Sequence, residues 1–257
     1  MAELTHNMVD IHAHLLPGLD DGPVDWEESL QMCRAYVAQG IHTVVATPHM
    51  GDGLFQVAPE DAREAVRRLR QACARQSIPL CVLPGADVRV HPEMIALLDE
   101  GRLLTVAYAG RHLMIELPEQ TVPPMEGLLF ELAVRGVVPI LSHPERNLAV
   151  MHNPQLAAKL AEMGCLLQVT AGALLGAFGA PARRTAERLL KAGLVHVVAT
   201  DAHAAEGPRS PEVGPALARL RQLVGEDELR RLVHDAPARV ACAAAPTQAS
   251  AGGAARP

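Results

Sequence analysis

Apolar positions along the chain alternate between two patterns. Short, nearly continuous runs predict strands at 8–13 (MVDIHA), 42–47 (HTVVAT), 80–84 (LCVLP), 112–117 (HLMIEL), 137–142 (VVPILS), 166–170 (LLQVT) and 195–200 (VHVVAT). Between them, apolar residues at helical spacing predict helices near 25–39, 59–76, 92–100, 124–135, 154–163 and 181–192, with further helical pattern at 212–233. Several helices stop where a glycine can take the left-handed position after the last turn: Gln39-Gly40, Arg135-Gly136, Met163-Gly164 and Ala192-Gly193. Strands that alternate with helices pair mostly in parallel through crossovers, which leaves a closed barrel or an open doubly wound sheet. No G-x-G-x-x-G follows the first strand, and this weakens the dinucleotide-binding form of the open sheet.

Composition narrows the class. At 257 residues the chain suits one α/β domain over 1–240, followed by a low-complexity stretch at 241–257 (ACAAAPTQASAGGAARP) that predicts a disordered tail. The chain is 49% hydrophobic, yet no run approaches the roughly 18 apolar residues of a membrane helix. The start, MAELTHNMVD, lacks the basic and apolar regions of a signal peptide, so a cytoplasmic protein without membrane insertion is expected. Five cysteines (33, 73, 81, 165 and 242) form an odd set with no C-x-x-C pair, as in a reduced compartment. With a net charge of −6 and no basic stripe, nucleic acid is not an expected partner.

The candidate chemistry is positional. His12 and His14 end the first strand, His49 follows the second, and Asp87 follows the third. Glu116 ends the fourth, His143 the fifth, and Asp201 and His203 the seventh. In a parallel barrel all strand C-termini open on one face, so these residues would converge. Residues i and i+2 share a strand face, so His12 and His14 can grip one ion, and Asp201 and His203 can do the same from the far side. Imidazole with carboxylate suits zinc, manganese or iron, and so many ligands imply two or three ions. Asp20 and Asp21 could simply make the turn in PGLDDG; Asp21 is the preferred ligand of the two.

Taken in order, H-x-H, D-D-G, T-P-H, I-E-L-P, H-P-E-R-N and T-D-A-H resemble the PHP (polymerase and histidinol phosphatase) superfamily. "DIHAHLLPGLDDG", "ATPHM", "SHPERN", "TAGALLGAFG" and "ATDAH" are similar to its bacterial metal-dependent protein-tyrosine phosphatases of the CpsB/CapC type. The resemblance implies a distorted (β/α)7 TIM-like barrel with a trinuclear, usually manganese-supported site. It assigns His12, His14, Asp87 and Asp201 to one metal, Asp87, Glu116 and His143 to a second, and Asp21, His49 and His203 to a third. The family usually carries glutamate where this chain has Asp87. The implied reaction is hydrolysis of protein phosphotyrosine on the tail of a bacterial tyrosine autokinase that controls capsular or exopolysaccharide synthesis. Assembly into an oligomer is compatible with the sequence.

Phosphoryl transfer needs a nucleophile in line and neutralisation of the phosphoryl oxygens. Metal coordination brings the pKa of water toward 7, and Arg146, with Arg209 behind it, is the expected clamp on phosphate. Asp201 or His203 could protonate the leaving oxygen, and Phe55 and Phe178 could flank a phenyl ring. The cysteine route is closed, because no cysteine has arginine six positions on, as C-x5-R requires. Amidohydrolase barrels also open with H-x-H, but commonly bridge metals with a strand lysine, and both lysines here, Lys159 and Lys191, fall in helical pattern. Histidinol phosphate is the rival substrate, and a weakly active binder of phosphorylated tails is the rival of another class.

Overall fold

The computed structural model describes residues 8–51 and 53–242. Among the described residues nine strands form, all paired in parallel: β1 (Met8–Ala13), β2 (Ile41–Ala46), β3 (His49–Met50), β4 (Cys81–Pro84), β5 (Asp87–Arg89), β6 (His112–Glu116), β7 (Val138–Leu141), β8 (Leu166–Thr170) and β9 (Val197–Ala199). They lie in two sheets, ordered β1-β2-β4 and β3-β5-β6-β7-β8-β9. The two strands beyond those predicted arise where Thr47-Pro48 and Gly85-Ala86 interrupt a ladder, since proline has no N–H to give. Thr43 faces Cys81, Ala46 faces Pro84 and His49 faces Asp87, so the register runs on across the break.

The first strand and the chain after the last are also tied together. His14 N donates to Ala202 O at 2.8 Å, Asp201 N donates to His12 O at 2.9 Å, and Ala13 bridges Ala202. Beneath this joint the buried Asp10 carboxylate accepts from Tyr36 Oη (3.0 Å), His12 N (3.1 Å), Thr200 N (3.2 Å) and the Thr200 hydroxyl.

Helices cover the strands. Trp26–Ala38 is capped by Asp25, whose side chain accepts from Glu28 N, and it buries Leu30, Met32, Cys33 and Tyr36. Pro59–Arg75 starts on a proline at the position that needs no N–H and buries Ala62, Val66, Leu69 and Cys73 along one stripe. Gly136, Gly164 and Gly193 have positive φ, and the next residue of each donates back to Leu132 O, Leu160 O and Leu189 O. These are the predicted Schellman stops, and each leads straight into a strand. The helical pattern at 212–233 resolves into Gly214–Val224, Glu226–Arg230 and a π turn at Arg231–Asp235. One expectation needs correction. Ala241 belongs to the closing helix Ala236–Ala241 and packs in the core at 7% exposure, so the tail cannot begin there; residues 243–257 lie outside those described.

A bulge in β1 aims the first two histidines. Between Asp10 and Ala13 three steps of β1 span only two of β2, from Val44 to Ala46. The extra residue shifts the alternation by one. Val9 and Ile11 therefore join the apolar interior with Val45, Met114 and Ile140, while His12 and His14 also turn inward at the C-terminal end.

Candidate metal centre

All nine sequence-predicted ligands meet at one end of the sheets, where β1, β6, β7 and β9 finish and the short β3 and β5 begin. His12 and His14 come from the end of β1, His49 from β3, Asp87 from β5 and Glu116 from β6. His143 follows β7 at φ 32° and Asp201 follows β9 at φ 53°. Both are non-glycine residues in the left-handed region, a conformation costing on the order of 1–3 kcal/mol that tends to be retained where it positions chemistry. Asp21 arrives on the turn after β1, where Gly22 is required because a Cβ there would stand 2.8 Å from His14 O.

Potential ligand atoms within 4.8 Å of one another form three overlapping sets: His14, Asp21, His49 and His203; His12, His14 and Asp87; and His49, Asp87 and Glu116. Asp87 Oδ2 is the hub, 3.7 Å from His12 Nε2, 3.8 Å from His143 Nε2 and 3.9 Å from His49 Nδ1. Asp201 Oδ1 lies 3.3 Å from His12 Nε2 and 3.5 Å from His14 Nε2, and His143 Nε2 lies 3.7 Å from Glu116 Oε1. Asp21 Oδ1 stands 3.2 Å from His203 Nε2 and 3.7 Å from His49 Nε2. The sets differ from the partition the resemblance implies: His14 also joins Asp21 and His203, His49 stands with Asp87 and Glu116 where the partition has His143, and neither Asp201 nor His143 falls in any of the three.

The donor chemistry fits divalent cations. His12 Nδ1 donates to Gln168 Oε1 at 2.9 Å and His14 Nδ1 donates to Asp20 Oδ2 at 2.6 Å, which puts both lone pairs on Nε2. Those two Nε2 atoms are 3.3 Å apart, an arrangement that repels unless a cation lies between. His49 Nδ1 and Asp87 Oδ2 are buried with no hydrogen-bond partner among the described residues, an expensive state unless metal satisfies them.

Electrostatics separates the carboxylates. Burial alone would raise Asp87, but the neighbouring imidazoles of His143, His12 and His49 bring it well below the usual carboxylate range. Asp21 is lowered in the same way, with burial outweighed by His203, Arg209 and His49. Glu116 moves the other way, up to about 7, through burial and then the Asp87 charge. Burial, then Arg146, pushes His143 down to about 4, which keeps it neutral and able to ligate.

Both predicted arginines reach the site. Arg146 pairs with Asp201 Oδ2 and stacks its guanidinium 4.4 Å from the Phe178 ring centroid. Arg209 lies 3.2 Å from Asp21 Oδ2 and also meets His203 Nε2. Phe55 stacks on His49 with centroids 5.9 Å apart. A cavity of about 260 Å³, lined by Glu116, His143, Arg146 and Leu148 among others, opens beside the cluster. Lys159 and Lys191 both lie in helices, Gln155–Glu162 and Gly179–Lys191, so neither is placed to bridge metals.

Several supporting residues escaped the sequence reading. Gln168 is a polar residue set between the apolar Leu167 and Val169, which was its only signal. Asp20 acts through hydrogen bonds from His14, Gly22 N and His49 N, a role a turn residue does not advertise. Arg89 Nη2 approaches Glu116 Oε2 at 2.9 Å from the next strand. Glu145 is fully buried and accepts from Thr170 N at 2.9 Å, tying the loop after β7 to β8.

Comparison with known proteins agrees with this geometry. Residues 8–241 match the family model described as "Capsular polysaccharide synthesis, CpsB/CapC". The chain is 41% identical over 197 residues to tyrosine-protein phosphatase YwqE of Bacillus subtilis, covering 76% of this chain and 77% of that protein. It is 32% identical to putative tyrosine-protein phosphatase CapC of Staphylococcus aureus, with the same coverage. A solved structure from work on YwqE of Bacillus subtilis and CpsB of Streptococcus pneumoniae, described as metal-dependent tyrosine phosphatases, superposes with a TM-score of 0.87 at 36% identity, over 92% of this chain and 95% of that one. Dihydropyrimidinase from Brevibacillus agri, at 9% identity and a TM-score of 0.55 over 91% of this chain and 70% of its own, shares the fold alone.

Proposed function

This chain belongs to the CpsB/CapC capsular polysaccharide synthesis family, and from that premise we propose that it hydrolyses phosphotyrosine monoesters on protein at a centre of two to three divalent metal ions. The observation that carries the reading is the trio of overlapping ligand sets beside two guanidinium groups. His12, His14, Asp21, His49, Asp87, Glu116, His143, Asp201 and His203 would hold the metals. Their carboxylate share favours manganese, with iron or zinc as alternatives. Metal so bound supplies Lewis acidity to a phosphoryl oxygen and lowers the pKa of water toward 7.

The chain's own groups do the rest. Gln168 and Asp20 fix the tautomers of His12 and His14. Arg146 and Arg209 present forked N–H donors to the phosphoryl oxygens, and Asp201 and Asp21 hold those forks in place. Phe178 stiffens Arg146 and, with Phe55, offers a flat wall to a phenyl ring. A tyrosinate leaving group, with a conjugate acid near pKa ~10, needs little acid help; Asp201 or His203 is the group close enough to give it.

The same premise supports the tail of a capsule-associated tyrosine autokinase as the substrate. It also supports a distorted (β/α)7 barrel, toward which the Ala13–Ala202 bridge ties the first strand to the segment after the last. Five free cysteines agree with a cytoplasmic setting. Among the described residues, no helix is long and apolar enough to cross a membrane.

The test is metal analysis and turnover on one sample, with a phosphotyrosine peptide, p-nitrophenyl phosphate and histidinol phosphate as substrates. Metal-dependent preference for the peptide is expected. Preference for histidinol phosphate would overturn the substrate, and bound metal without any hydrolysis would make the chain a binder.

A further inference from the structure

At the opposite end of the strands from the metal centre, a cavity of about 470 Å³ gathers Arg111, Arg231, Arg239, His112 and His196. We propose that this cavity is a second anion site, which takes a small organic dianion such as a phosphate monoester or a phosphonate. His112 opens β6 and Glu116 closes it, so the two sites are separated by a strand length of about 13 Å at ~3.3 Å per residue.

The cations here are not spent on the protein. The Arg111 and Arg239 side chains make no hydrogen bond or ion pair with the described residues; the Arg111 carbonyl accepts from Val138 N. Acid is plentiful in a chain of 29 acidic and 23 basic residues, and exposed Arg34, Arg67 and Arg102 and half-buried Arg135 each find a carboxylate. Arg231 is anchored by Glu228 at 2.7 and 2.6 Å and by Val195 O at 2.8 Å, which fixes its plane and leaves Nη1 to spare. Asp235, the other acid of this corner, is bonded to His234. Three guanidinium groups therefore line a cavity whose lining includes no carboxylate, an excess that suits a dianion.

Neutral donors complete the set. Leu167 N donates to His196 Nδ1 at 3.1 Å, so the His196 proton sits on Nε2. His112 is 9% exposed, and its buried Nδ1 has no partner. Burial, followed by the charges of Arg231 and Arg111 respectively, lowers both imidazoles and keeps them neutral near pH 7. The wall is apolar, formed by Leu166, Val197 and Val240. Guanidinium forks suit a tetrahedral anion, the wall suits an organic body, and the volume suits a small ligand.

Isothermal titration of the metal-loaded full chain with phenylphosphonate tests this without relying on turnover. Two binding events are expected. Arg111→Ala/Arg239→Ala should weaken one of them by roughly tenfold or more, the scale of losing charge-assisted hydrogen bonds, while hydrolysis of p-nitrophenyl phosphate stays within about twofold. Arg146→Ala should weaken only the other event. Inorganic phosphate should bind the second site roughly tenfold more weakly, since it brings no apolar body. A single event abolished by Arg146→Ala, or two events indifferent to the double substitution, would overturn the site. Equal affinity for inorganic phosphate would overturn its organic ligand.

Discussion

Nε2 of His12 and Nε2 of His14 face each other across 3.3 Å, with each ring's Nδ1 proton already committed, to Gln168 and to Asp20. Two opposed lone pairs make a site for a cation, and the groups behind the rings decide how well it binds. Four expectations follow from such pairings.

Asp20→Ala removes the acceptor that holds the His14 proton on Nδ1 and frees Gly22 N and His49 N as well. Metal affinity should fall about 10–100-fold, the usual cost of losing an outer partner of a ligating histidine. Competition with a chelator measures this, and circular dichroism checks that the fold persists. Unchanged affinity would mean that Asp20 serves only the turn.

Asp87 is fully enclosed, with Ser142 Oγ donating to Oδ1 at 3.1 Å and three imidazoles around Oδ2. The pocket is shaped to the shorter side chain, where the family resemblance drawn from the sequence implies glutamate. Asp87→Glu should cost about 1–3 kcal/mol through overpacking and lower turnover, rather than improve it. Higher activity with normal stability would show that aspartate is a compromise.

Arg146→Lys keeps the charge but loses the fork, the pairing to Asp201 and the stacking on Phe178. We expect kcat/KM on a phosphotyrosine peptide to drop by about 10–100-fold, in line with losing a positioned donor to developing charge. Recovery of most activity in the lysine variant would reduce the role of Arg146 to that of a point charge.

Glu145 gives a pH signature. Burial raises its carboxyl from 4.5 to about 7, and Oε2 has no partner. Between these values the folded chain keeps a proton that the unfolded chain has released. The contribution favouring the fold is therefore complete below about 4.5 and is lost as pH rises to about 7. Glu145→Gln stays neutral throughout. In chelated protein its stability advantage over wild type should grow from pH 5 to pH 8, toward something on the order of 3 kcal/mol. A flat difference across that range would refute it.

Strand ends were readable in the sequence because apolar runs stopped abruptly at histidine or acid, and helix ends because glycine marked them. His12, His14, Glu116 and His143 needed nothing more. The two short strands β3 and β5 were hidden, since two or three residues after a proline or glycine break carry no periodicity. Gln168, Arg89 and Glu145 were hidden for a different reason. Their work depends on which strands become neighbours, and spacing along one chain does not encode that.

The joint between β1 and the segment after β9 rests on a bridge, two main-chain bonds and the Asp10 carboxylate. His12 and His14 stand on one side of it, Asp201 and His203 on the other. Any ion held by both sides acts as a clasp as well as a reagent. Its departure would loosen the amino-terminal strand first, so hydrogen exchange in residues 8–14 should report occupancy of the centre before any global unfolding does.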